Sequence, residues 1–183
     1  MMRAAFLALL AAATAGVIAA AAACSSFDPN ALTEVAGPDY GQFEGVMSDG
    51  GAGTGVSAVI EKRCGTLDCH GQVGRPLRLY GQFGLRFVDD AGNLPGGPMG
   101  SQATTETEHK ADYQSVLGLQ PELMTEVVQG SAPPGVLMLL RKPLQLERHA
   151  GGAVFVAGDV TYLCLTSWLV GQTDFTSCQG AAQ

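Results

Sequence analysis

The run Val56-Ser57-Ala58-Val59-Ile60-Glu61-Lys62-Arg63-Cys64-Gly65-Thr66-Leu67-Asp68-Cys69-His70-Gly71 decides how this chain folds. Val56, Val59 and Ile60 recur at the helical spacing i, i+3, i+4, and Ser57 is a candidate cap for the helix they define. Cys64 lies four residues beyond Ile60 and extends the same stripe, so its thiol points to the interior with the core side chains. Gly65 and Gly71 bracket the segment that follows and let the backbone turn tightly. Two thiols and an imidazole thus fall within seven residues of a chain that has 5 cysteines and 3 histidines.

That combination is chemically specific. In the C-x-x-C-H pattern, two cysteine sulfurs join the vinyl groups of a porphyrin and the adjacent histidine ligates its iron. Here the spacer is four residues, Gly65 to Asp68. The same residues also admit a short disulfide loop between Cys64 and Cys69. Zinc is disfavoured, because the cluster offers three ligands at most and no second pair follows downstream.

Working outward, residues 1–23 read as a signal peptide: a basic start at Arg3, then an apolar, alanine-dominated run from Ala4 to Ala23. A retained membrane-spanning helix is the alternative, but no basic stop-transfer flank follows, and Asp28 is the first charge after the run. Residues 24–55 are rich in Ser, Gly, Asp, Pro and Glu and are expected to form a flexible tether. Residues 56–183 are the expected domain. Its 25 Gly, 9 Pro and single Trp in the full chain point to a small core, one that a cofactor or disulfide would help to hold. The net charge of −7 argues against nucleic acid as a partner.

The remaining elements follow from local signals. Thr105 to Leu117 reads as an amphipathic helix with Tyr113, Val116 and Leu117 inward, and Pro121 starts another through Val128. Val136 to Leu140 reads as a short buried helix stopped at Lys142-Pro143. Asp159 caps a last helix, Val160 to Val170, closed by Gly171. Trp168 on it needs a partner for its indole N–H. Between 72 and 104 loops are expected. Arg75, Arg78 and Arg86 there are either solvated or paired with acidic groups of a cofactor. His109, between Glu108 and Lys110, reads as a solvated helix residue.

Four blocks together resemble the haem-c-like domains of exported planctomycete and myxobacterial proteins. They are the helix running into C-x4-C-H-G with Leu77 to Gly81 after it, Leu139 to Pro143, the turn His149-Ala150-Gly151-Gly152, and the final helix with Trp168-Leu169 before Gly171. One glycine of that family's His-Gly-Gly-Gly turn is Ala150 here. The resemblance implies a mainly α, cytochrome c-like helical domain with long loops, its first and last helices crossing. It implies haem c bound through Cys64 and Cys69, with His70 as the proximal and His149 as the distal ligand. From the residues alone, Met138, Met124 and Met99 are also distal candidates. Ala21-Ala22-Ala23-Cys24 likewise resembles a bacterial lipobox, implying acylation of Cys24 and, with no Asp following, an outer-membrane location facing the periplasm or cell surface.

Two functions follow. One is a lipid-anchored c-type electron carrier or redox sensor that meets a redox partner protein. The other is a non-haem lipoprotein stapled by disulfides and acting as a structural or binding module. Both include a Cys164–Cys178 bridge, and neither is an enzyme, since no catalytic constellation is legible.

Overall fold

In a computed structural model, residues 34–47, 49–88, 92 and 102–183 are described. The expected signal peptide, Cys24 and Met99 lie outside the described residues. Val35–Gln183 form one unit, and it is mainly α. Its helices are α1 (Tyr40–Glu44), α2 (Val56–Cys64), α3 (Glu106–Leu117), α4 (Pro121–Val128), α5 (Met138–Arg141), α6 (Val160–Leu169) and α7 (Phe175–Ala181), with a 3-10 turn at Pro134–Val136. Among the described residues, extended pairing is limited to isolated bridges of Val46 with Ala52 and of Tyr80 with Leu85, and no helix is long and apolar enough to cross a membrane.

The helix ends obey ordinary capping chemistry. Thr105 and Glu108 form a capping box at the start of α3, each satisfying a backbone N–H that the first turn leaves unpaired. Pro121 opens α4, where its missing N–H costs nothing. The Asp159 carboxylate accepts from the Tyr162 N–H at the start of α6. At α2 the cap differs from expectation: Gly55 occupies the position with no side-chain bond, and Ser57 is buried inside the helix. Gly65 ends α2, its N–H donating to the carbonyls of Ile60 and Glu61. A side chain at Gly71 or at Gly84 would run into the Gly65 carbonyl oxygen, so these glycines serve close backbone packing around the motif.

The core is built on α6. Trp168 is fully buried and meets the ring of Phe43 at 5.3 Å between centroids. Tyr113 packs edge-on to Phe43 at 5.5 Å. Val56, Val59 and Ile60 of α2 are buried as the periodicity required, and α2 packs on α6 and α7.

Two segments differ from the sequence expectation. Residues 35–47 and 49–55, expected within the tether, belong to the domain: Phe43 of α1 is fully buried, and the Tyr113 hydroxyl donates to the Pro38 carbonyl at 2.6 Å. One large aromatic removed from water contributes roughly 2–3 kcal/mol toward the ordering of this stretch. The tail also does more than turn back. It forms α7, capped by Asp174 accepting from the Ser177 N–H and joined to α6 by the Cys164–Cys178 disulfide.

Candidate cofactor cavity

A cavity of about 490 Å³ opens between α2, the loop after it, α5, the loop before α6, and α6 itself. Its walls are largely apolar, with Ile60, Leu77, Leu139, Phe155 and Leu165 among them. Into this surface the fold brings four of the residues singled out by sequence: Cys64, His70, His149 and Met138. A cavity of this size and lining, with a few convergent polar groups, is the usual form of a small-molecule or cofactor site.

His70 is fixed from both sides. Its backbone N–H donates to the Cys64 carbonyl at 2.8 Å, and its carbonyl accepts from the Leu79 N–H at 3.0 Å. Its Nδ1 lies 2.9 Å from the Leu77 carbonyl oxygen. A carbonyl only accepts, so Nδ1 is the protonated nitrogen and Nε2 keeps a free lone pair, the form a metal requires. His149 repeats the arrangement, with Nδ1 2.8 Å from the Gly152 carbonyl. Gly152 adopts φ of +72°, while Ala150 stays out of the left-handed region. The substitution in the turn therefore falls where alanine is tolerated.

The two imidazoles lie 6.2 Å apart between ring centroids and within 9° of parallel. Burial lowers the His70 pKa; the Leu77 carbonyl opposes this, and His149 and Arg75 push it further down. The neutral ring is thus favoured.

Both motif cysteines are free thiols, half-buried as residues. Burial pushes the Cys64 thiol up to about 12, with Cys69 adding to the rise and Arg63 opposing it. Cys69 is near enough to be felt electrostatically but does not itself line the cavity. Among the described residues, no three His, Cys, Asp or Glu side chains converge as a metal site; the donors that line the cavity are the two imidazoles, the Cys64 thiol and the Met138 thioether.

The other expectations divide. Met124 is buried in the core and away from the cavity, leaving Met138 as the described methionine that lines it. Of the three arginines, Arg75 lines the cavity. Arg86 instead grips Glu108 through Nε at 2.8 Å and Nη2 at 2.9 Å. Arg78 keeps its Nε buried with no hydrogen-bond partner. Lys142 and Arg148, not singled out by sequence, join Arg75 in the lining; the adjacency of Arg148 to His149 was the available signal. His109 is not solvated: its side chain is 17% exposed and faces Glu61.

Compared with known protein families, with curated proteins and with solved structures, the chain matches none.

Proposed function

We propose that the chain is an exported lipoprotein whose cavity holds one covalently attached haem c, and that it serves as an electron carrier or redox sensor. The observation that carries this reading is the parallel pair of His70 and His149, 6.2 Å apart across an apolar cavity. A histidine nitrogen binds a metal at about 2.0–2.1 Å, so two imidazoles with ring centres this close are near enough to share one metal. Two imidazoles alone are a sparse set for a bare ion, but they complete a metal already held in a macrocycle.

In this reading Cys64 and Cys69, both free thiols, would hold the cofactor covalently through thioethers. His70 and His149 would hold the iron, their rings oriented by the carbonyls of Leu77 and Gly152. Such second-partner bonds fix the tautomer and raise ligand basicity. Arg75, Lys142 and Arg148 offer cations to the acidic groups of the cofactor, and the apolar walls keep water from its face. When bound, haem supplies one-electron chemistry at iron. An acylated Cys24 would hold the domain at the outer membrane, within reach of a redox partner.

The test is expression with a haem-maturation system. Haem that stays with the polypeptide after denaturation, together with a Soret band in the native protein, supports the reading; a colourless protein overturns it. The Cys164–Cys178 bridge is common to this reading and to a second one, a disulfide-stapled lipoprotein that serves as a structural or binding module without haem. In that case the colourless protein would keep its fold and its cavity.

A further inference from the structure

A second cluster of titratable groups is buried where α2, α3 and the segment from Tyr80 to Phe87 meet. Glu61 on α2 is 5% exposed, and Glu108 and Asp112 on α3 are fully buried. One arginine serves these three carboxylates. Arg86 binds Glu108 in a two-pronged grip, and the Phe87 N–H donates to the same carboxylate at 2.9 Å. Glu108 is thereby satisfied as an anion.

Glu61 and Asp112 are not. Glu61 Oε2 accepts from the Thr104 hydroxyl, and Asp112 Oδ1 accepts from the Tyr80 N–H at 2.7 Å. Glu61 Oε1, Asp112 Oδ2 and His109 Nδ1 are buried with no hydrogen-bond partner, although His109 Nδ1 stands only 3.5 Å from Glu61 Oε1. An ionised carboxylate with an unpaired buried oxygen is costly, and such a group keeps its proton instead. These groups do not converge as a metal site, so a proton is the cation that suits them.

We propose that Glu61, His109 and Asp112 form a buried proton store that makes the seam between α2 and α3 pH-sensitive, tight when both carboxyls are protonated and loosened when they ionise. The charges facing the cluster agree with this. Burial lifts Glu61 to about 7; Thr104 and Arg86 oppose the rise, and Glu108 adds to it. Burial lifts Asp112 to about 8, with Tyr80 opposing and Glu61 and Glu108 adding. Burial lowers His109, opposed by Glu44 of α1 and by Glu108. Among the described residues, Arg86 is the cation that acts on these carboxyls, and it is already committed to Glu108.

The direction of the pH effect is fixed by these shifts. Both carboxyls bind protons more tightly folded than unfolded, so their stabilisation is complete below the ordinary values of 4.5 and 3.8. It is lost as pH rises through about 7 and about 8. His109 works on the acid side, losing its contribution as pH falls below the ordinary 6.5. Because Glu61 lies on α2 with Ile60 and Cys64, which line the cavity, loosening the seam also disturbs that wall.

Two measurements on the full-length chain test this without haem. Melting followed by Trp168 fluorescence should show a Tm that falls by roughly 5 °C between about pH 6 and about pH 9 in the wild type. The fall should be halved in Glu61→Gln or Asp112→Asn and flat in the double variant. Infrared spectroscopy of the folded wild type at about pH 6 should show the C=O stretch of a protonated carboxylic acid, weakened in each single variant and absent by about pH 9. A wild-type Tm that is flat or rises over that range, or a missing acid band at the lower pH, overturns the proposal.

Discussion

The Trp168 indole nitrogen donates to the backbone carbonyl of Asp39 at 3.0 Å, across 129 residues of sequence. The partner that a buried indole needs is thus supplied by the segment that its composition assigned to a tether. Phe43, one turn along, closes the arrangement by packing on the same ring. Phe43→Ala should therefore destabilise the domain by about 3–5 kcal/mol. Denaturant unfolding followed by Trp168 emission would measure it, and a loss below about 0.5 kcal/mol, the level of an ordinary surface change, would return α1 to the tether.

Glu108 depends on Arg86 in the same one-sided way. Burial alone would raise the pKa of Glu108, but the hydrogen bonds from Arg86 and from the Thr105 and Phe87 N–H groups outweigh it and hold the pKa below the ordinary 4.5. Its contribution is present above that value and lost as pH falls through the lower folded one. Removing the cation strands a buried carboxylate, so Arg86→Met should cost about 3–5 kcal/mol near neutral pH. The loss should shrink on acidification as Glu108 takes up a proton. A thermal-shift series against pH measures both effects.

The elements that sequence disclosed are those with a strong local signal. α3, α4 and α6 carry caps or a proline at their starts, and α2, which has neither, carries Val56, Val59 and Ile60 at helical spacing. α1 and α7 span 5 and 7 residues, too short for a period to emerge from glycine-rich text, and their stability is tertiary. The cavity was legible in part because the C-x4-C-H spacing singled out Cys64 and His70 and the family resemblance singled out His149, and all three line it. Glu61, Glu108 and Asp112 were not legible as buried, since acidic residues on helices normally face water and nothing local announces the Arg86 grip.

The Cys164–Cys178 bridge closes a loop of 14 residues between α6 and α7. A loop of that length contributes about 3 kcal/mol by restricting the unfolded chain. Replacing both cysteines with serine should lower the unfolding free energy by about that amount, and reduction of the wild type should do the same. Mass spectrometry of the haem-free chain should find this pair linked and Cys64 and Cys69 alkylatable after unfolding.

The Cys64 thiol, pushed up to about 12 mainly by burial, is almost wholly protonated near neutral pH. Thiolates are the species that alkylate, so iodoacetamide should label Cys64 in the folded, haem-free chain on the order of 10³-fold more slowly than in the unfolded chain. Peptide mapping over a time course gives the ratio. Equal rates would mean that the thiol is not held against the cavity wall.

The His70–His149 pair yields the sharpest test of the haem reading, because its two members differ in what anchors them. His70 sits between cysteines that would be covalently linked and the loop to Leu79, whereas His149 stands in a turn containing Gly151 and Gly152. In haem-loaded protein, His149→Ala should keep the covalent haem but change the axial field, seen as a shifted Soret band and altered electron paramagnetic resonance. His70→Ala should lower the yield of attached haem itself. Met138 lines the same cavity, so an unchanged spectrum in His149→Ala, together with a changed one in Met138→Ala, would transfer the distal role to the thioether. In the haem-free chain, burial keeps the His70 pKa below the ordinary 6.5. Its NMR titration midpoint should fall on the acid side of that value, leaving the neutral, ligating ring in place at neutral pH.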